Sequence, residues 1–525
     1  MDNVRRAARL IEEVRASGAT EFCVCAGSRN SPLLAVLGSS DLRLFSFVDE
    51  RSAAFFALGR IKLHGNAVAV VTTSGTAVAE LLPAAVEAYY SGLPLIVISA
   101  DRPARFRGTG APQSIEQLGI FGVYAETALE AWSRTRPLHL NIEFEEPLLD
   151  AQLSREQPLI RPSGTFSPHE GRRATKSPSS EGDDATELPS RESGNLVAPL
   201  PASSGERVAN GRVRGRATGD GQRYLVVIGG FAPEHRERVR TFVENLNAPT
   251  YAEPLSGLRE DPSLPLITAG ERMLARASFD EVIRIGNVPA LRFWRDLEDR
   301  DVRVTHYSDL PFTGLTRGDV RRIDELPELE GSRDEAFFAN DREQAARFAD
   351  ILDEEPESEL AMFRTLSREL ADGTRVYLGN SLPIREWDLA AAREPRGFEY
   401  EANRGANGID GQLSTFLGWC DPAHDNVCVL GDLTTIYDLN APWIVPQLGH
   451  RRFRIVVMNN GGGRIFSRVA SLRTLDPAMR ERIIENAHDV RFEHWAAMWN
   501  IDVTELRPDP EASRRAWKRY DELWA

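Results

Sequence analysis

A chain of 525 residues with 42% apolar side chains is long enough for three or four domains, each burying its own core. Its 78 acidic against 63 basic residues leave a net charge of −15, which repels nucleic acid and anionic membrane faces and demands locally placed cations for any anionic ligand. The four cysteines lack metal-binding spacing, and no apolar run approaches the ~20 residues needed to span a bilayer, so buried thiols and no integral membrane contact are expected.

The amino terminus reads as an amphipathic helix with acidic residues rather than a secretory leader, which makes a cytoplasmic location the expectation. Helical periodicity then alternates with short apolar runs at 22–25, 67–71 and 95–99, the rhythm of a parallel α/β sheet over a first domain, 1–164. Residues 165–222 turn to Ser, Gly, Pro, Arg and Glu with almost no aromatic residue. Such a composition buries too little surface to offset ordering entropy and predicts a disordered linker. A second α/β segment, 223–350, opens with YLVVIGG at 224–230 and continues through a helix at 233–246 to strand-like runs at 279–287 and 302–309. An acidic helical stretch, about 333–372, leads into a third domain, 351–525. Its apolar runs end in Gly379-Asn380-Ser381, Gly431-Asp432 and Asn459-Asn460, placing small polar residues where open α/β sheets bind ligands. The expected fold class is therefore α/β, with three doubly wound parallel-sheet domains and an insert between the first and second.

Gly431-Asp432-Leu433 after one strand and Asn459-Asn460-Gly461-Gly462-Gly463 after the next form the most informative pair. Either motif alone reads as a tight turn. Together, across a gap the size of a βαβ unit, a carboxylate and an amide oxygen suit a hard divalent cation, and the glycines let the backbone approach a diphosphate. Glu50, between an apolar strand and an apolar helix in FSFVDERSAAFFALGRIK, occupies a half-buried position that raises a carboxyl pKa. Arg29, Arg102, Arg385 and Arg404 each follow a strand beside a small-residue turn, a pattern suited to bidentate recognition of several carboxylates.

The Gly-Asp to Asn-Asn pairing resembles the diphosphate motif of the thiamine-diphosphate enzymes. Carried over, the resemblance implies that Asp432, Asn460 and the backbone of Gly462 hold Mg2+ or Mn2+, that Gly431 borders the diphosphate, and that Glu50 activates the cofactor. Leu433, where glycine is usual, is a departure that resembles the branch making menaquinone precursors. The runs Gly27-Ser28-Arg29-Asn30-Ser31-Pro32, Thr73 to Ala77, Asp101-Arg102-Pro103, Gly379-Asn380-Ser381-Leu382 and Asn403 to Gly411 are similar to that branch.

This similarity implies substrate contacts for Ser28, Arg29, Arg102, Gln113, Arg385 and Arg404, and a weaker one for Arg292. Ser381 would line the cofactor site, Ile409 would wedge the cofactor bent, and Ile465 with Phe466 would pack on it. Pro112 and Phe293 depart from the branch's usual residues. The implied reaction decarboxylates 2-oxoglutarate on thiamine diphosphate and adds the resulting succinyl group to isochorismate, in a homodimer or homotetramer with active sites between subunits. Another thiamine-diphosphate decarboxylase or carboligase is the enzymatic alternative. A dinucleotide-binding protein would require a G-x-G-x-x-G after the first strand, and none stands there.

Overall fold

The computed structural model describes residues 3–149 and 222–524, so the linker expected at 165–222 lies, Gln222 apart, outside the described residues. Among the described residues fifteen strands form three five-stranded sheets in which every pairing is parallel. The first holds β1 (Ala19–Cys25), β2 (Arg43–Phe47), β3 (Ala67–Thr72), β4 (Leu95–Asp101) and β5 (Leu138–Glu143), in the order β2-β1-β3-β4-β5. The middle sheet holds β6 (Tyr224–Ile228), β7 (Thr250–Ala252), β8 (Glu281–Ile285), β9 (Arg303–Tyr307) and β10 (Val320–Arg321), in the order β7-β6-β8-β9-β10. The third holds β11 (Arg375–Leu378), β12 (Glu399–Glu401), β13 (Asn426–Gly431), β14 (Phe453–Met458) and β15 (Val503–Leu506), in the order β12-β11-β13-β14-β15. All three therefore share one topology, with a switch point between the first and third strands of each domain, the position at which open α/β sheets bind ligands when they bind one.

Strands β3 and β4, AVAVVT and LIVISAD, are buried at every position, as expected of a parallel sheet covered by helices on both faces. Alternation along β1 sends Phe22 and Val24 into one apolar layer and Cys23 and Cys25 into another. The second of these layers also takes in Cys420, Cys428 and the third sheet's Tyr377, Leu430 and Ile455, so one continuous core joins the first and third domains. Its centre is the contact between the helices Glu50–His64 and Gln412–Trp419. A Cβ at Gly59 would lie 2.0 Å from the Thr415 carbonyl oxygen, and one at Gly418 would lie 2.2 Å from that of Phe56, so glycine alone permits this approach.

The acidic stretch forms two helices, Glu335–Glu354 and Glu359–Glu369, capped by Asp334 and Ser358. The boundary expected at 350/351 falls inside the first of them. Phe337 and Phe338 pack on the middle core, whereas Phe348, Ile351 and Leu352 pack on the third. This helix spans the join because one amphipathic element serves both cores. Among the described residues no helix is long and apolar enough to cross a membrane.

Candidate active site

Strand β13 delivers Gly431 to the sheet edge, and Asp432 opens the helix that follows. The Asp432 carboxylate is buried. One of its oxygens accepts the backbone N–H groups of Gly461 at 2.8 Å and Gly462 at 2.9 Å, and the other accepts that of Leu433 at 2.6 Å. Burial raises its pKa, and these amides oppose the rise. Gly462 has φ +134°, and a Cβ there would sit 2.6 Å from the Glu485 carbonyl oxygen, so only glycine fits the turn.

Asn460 behaves differently. Its side-chain N–H2 donates to both oxygens of Glu359, at 3.0 and 3.2 Å, while its Oδ1 is buried without a hydrogen-bond partner. The structure thus unites Asp432 with Gly462 and turns the Asn460 side chain toward Glu359. A buried carboxylate, an unsatisfied amide oxygen and a glycine turn on adjacent strand ends fit a hard divalent cation bridging to a diphosphate.

Glu50 is the first residue of its helix, whose amino terminus is capped by Asp49 accepting from the Ser52 N–H at 3.0 Å. Burial, and then the charges of Asp49 and Glu80, hold the half-buried Glu50 above the usual carboxylate range against one opposing backbone hydrogen bond. Its neighbours reach the third domain: Asp49 accepts from the Asn440 side chain, and Arg51 lies 3.5 Å from Asp438.

The arginines form two pairs. After β1, Asn30 accepts from Gly27 N–H and donates to the Cys25 carbonyl, both at 2.9 Å, which shapes the turn presenting exposed Ser28 and buried Arg29. Arg29 donates to the Phe144 carbonyl at 3.1 Å and to Glu146 at 2.8 Å, and Arg102 approaches the same Glu146 oxygen at 3.8 Å. Gln113, at φ +55°, lies against Gly75.

In the third domain Ser381, at φ +73°, begins the helix Leu382–Ala390, and its carbonyl accepts from Arg385 at 2.5 Å. Arg404 donates to the Asn380 Oδ1 at 2.9 Å. Arg385 is exposed by area, yet its guanidinium is largely buried, and burial, and then Arg404 held by Asn380, lower its pKa. Facing both is Glu253, just past β7. It is buried, accepts from the Ala290 N–H at 2.7 Å, and is pushed up to about 7 by burial while Arg404 and Arg385 pull it down.

The first pair closes on Glu146, just past β5, and the second faces Glu253, just past β7. Arg292 is exposed and pairs with Asp296 at 3.6 Å, while Phe293 beside it enters the middle core. Ile409 and Ile465 are half-buried, and Phe466 is 37% exposed on the turn after Gly463, so all three leave apolar surface near the loops that carry Arg404 and the glycine cradle. Sequence reasoning missed Glu253 and Glu359, whose only local signals are a following proline and a preceding capping serine.

A buried aspartate gripping a glycine turn at the switch point of one sheet, with a desolvated helix-start glutamate on another sheet of the same topology, defines a thiamine-diphosphate enzyme. Residues 5–120 match the family model for the thiamine pyrophosphate enzyme N-terminal TPP binding domain. Three curated relatives carry the name 2-succinyl-5-enolpyruvyl-6-hydroxy-3-cyclohexene-1-carboxylate synthase. The one from Bdellovibrio bacteriovorus is 39% identical over 100% of both chains. That from Akkermansia muciniphila is 36% identical over 95% of this chain and 91% of its own, and that from Geobacillus thermodenitrificans 31% over 94% and 87%. The chain belongs to the 2-succinyl-5-enolpyruvyl-6-hydroxy-3-cyclohexene-1-carboxylate synthase family.

Proposed function

We propose that this protein decarboxylates 2-oxoglutarate and joins the resulting succinyl group to isochorismate, releasing carbon dioxide and forming the product after which its family is named. The observation that carries the proposal is that the Asp432–Gly462 cradle and the Arg385–Arg404 pair both stand on segments that follow strands of the third sheet. Thiamine diphosphate, when bound, supplies the carbon nucleophile and the electron sink that decarboxylation requires. Asp432, Asn460 and the Gly462 backbone would hold its Mg2+ or Mn2+, with Gly431 and Ser381 beside the diphosphate. Asn460 can do so through its unpartnered Oδ1 while its N–H2 keeps both hydrogen bonds to Glu359.

Glu50 would hold a proton for the cofactor's aminopyrimidine ring, a task favoured by its raised pKa. Both substrates are dicarboxylates, and each arginine pair offers planar, charge-assisted donors to such groups. Arg29 already spends one N–H on Glu146, so a substrate carboxylate there competes with an exposed, screened partner. Arg385 and Arg404 are crowded cations whose mutual repulsion a bound carboxylate relieves. Ser28 and Gln113 border the first pair and supply neutral donors. Ile409, Ile465 and Phe466 would exclude water from the reacting carbon.

Two features support a site shared between chains. The two arginine pairs answer to different carboxylates, Glu146 and Glu253, and the helix bearing Glu50 is already packed on its own third domain. A homodimer or homotetramer, with the first domain of one chain facing the third domain of its partner, satisfies both. The test is to incubate the protein with thiamine diphosphate, Mg2+, 2-oxoglutarate and isochorismate. Carbon dioxide and a succinylated adduct are expected in equal amounts. Carbon dioxide release that ignores isochorismate, or an equal yield with pyruvate as donor, would overturn the assignment.

A further inference from the structure

Glu87 is a buried carboxylate on the first-domain helix Leu82–Ser91 that the proposed chemistry leaves unused. It reaches across to the third domain. One oxygen accepts the Gly405 N–H at 2.8 Å and the other accepts the Ala406 N–H at 2.7 Å, while Ser91 Oγ donates to the first at 3.0 Å. Two consecutive amides aimed at one carboxylate form a small anion-binding nest, here filled by a side chain more than 300 residues away in sequence.

The contact is built to be close. A Cβ on Gly405 would lie 2.4 Å from the Glu87 carbonyl oxygen and 2.7 Å from Ser91 Oγ, so the loop can touch the helix only with glycine there. Arg404 precedes these amides directly, and Asn380 ties the other side of the loop by donating to the carbonyls of Asn403 at 2.7 Å and Gly408 at 2.8 Å. Beside Glu87 and Asn403 lies a cavity of about 440 Å³, walled in part by Phe55 and Val86, into which an untethered loop has room to sink.

We infer that Glu87 is a positioning residue that fixes the loop 403–411 from the first domain and thereby sets the approach of Arg404 to a substrate carboxylate. The inference rests on the substrate role proposed above for Arg404. Glu87 itself touches no reacting atom. A purely structural role would lower thermal stability and scale down all kinetic constants together, whereas positioning acts through Arg404 and through KM.

The experiment compares Glu87→Gln with the parent holoenzyme. Glutamine keeps the size but sets an N–H2 against one of the loop amides, leaving a buried donor unsatisfied. Hydrogen exchange at 403–411 should quicken while the neighbouring strand β12 keeps its protection. KM for isochorismate or 2-oxoglutarate should rise about tenfold or more with kcat changed far less, the signature of lost substrate binding. The double variant Glu87→Gln/Arg404→Ala should be no worse than Arg404→Ala alone within about twofold, because the two act as one unit.

Unchanged exchange in the loop, or losses that multiply in the double variant, would overturn the inference. If Glu87→Gln fails to fold, Glu87→Asp keeps the charge one methylene short and should give intermediate exchange in the same loop, and parental exchange in it refutes the role. Hydrogen exchange needs no turnover. An absence of product in the parent enzyme would therefore remove the proposed reaction, while loop exchange would still decide whether Glu87 holds the loop.

Discussion

The outer domains and the middle domain share one strand order, yet they treat the switch point in opposite ways. In the middle domain, backbone meets backbone: a Cβ on Gly229 would lie 2.2 Å from the Asn287 carbonyl oxygen, one on Gly286 would lie 2.5 Å from that of Gly230, and Asn287 N–H donates to the Gly230 carbonyl at 2.7 Å. The crevice is sealed. In the third domain the same position carries Asn380, Gln412 and Asp432, whose side chains organise loops instead of being displaced by them. Topology therefore supplies a location for a site, and the polar residues at the strand ends decide whether one exists. The middle domain contributes differently, by sending Glu253 from the end of β7 to the third domain's arginines.

The largest effect expected from this contrast is at Asp432. Asp432→Ala removes the acceptor of the Gly461 and Gly462 amides and should abolish metal-dependent binding of thiamine diphosphate in calorimetry. Asn287→Ala, at the sealed middle crevice, should leave that affinity unchanged. Equal losses in the two variants would break the comparison.

Glu50→Gln ranks next. Binding should persist while turnover falls about 10² to 10⁴, the scale of a lost acid–base group. Mixed with Asp432→Ala chains, it should regain activity through the one site in the hybrid that is free of both lesions. Failure of the mixture to recover would place both lesions in a single-chain site.

Arg404→Ala and Arg385→Ala each remove a charge-assisted contact worth roughly 1.5–3 kcal/mol, so kcat/KM should fall about ten- to a hundredfold with cofactor affinity preserved. Uniform, small losses are what scattered surface ion pairs would give, at about 0–1 kcal/mol each.

The smallest effect belongs to Glu253. Unfolded, its carboxyl releases its proton near 4.5; folded, it keeps the proton to about 7. The native state thus binds that proton more tightly, and the stability this gives, complete below 4.5, is lost as the pH rises toward 7. Glu253→Gln should gain on the parent by roughly a few °C in Tm between pH 5 and pH 8. A difference that is flat across this range would show that burial does not hold the proton there.

Much of this was legible in the chain itself. Apolar runs of strand length separated by helical periodicity predict three parallel sheets, because a strand covered on both faces has to be apolar at every position, as β3 and β4 are. The cradle was visible because Asp432 and the glycines lie at the ends of adjacent strands, close enough in sequence for spacing to carry the geometry. Glu50 was visible because an acid between an apolar strand and an apolar helix has few places to be.

Tertiary structure decided the rest. The Asn460 amide nitrogen is held by Glu359, about 100 residues upstream, and nothing local marks that glutamate as its partner. The four arginines share a sequence signature, yet Arg29 and Arg102 face Glu146 while Arg385 and Arg404 face Glu253, partners that nothing in the signature marks. The helix Glu335–Glu354 crosses the expected domain boundary because two cores share its faces. Glu87 meets Gly405 only because the Gly59–Gly418 contact brings two domains within reach of each other, and such long-range approaches leave no periodicity in the chain to read.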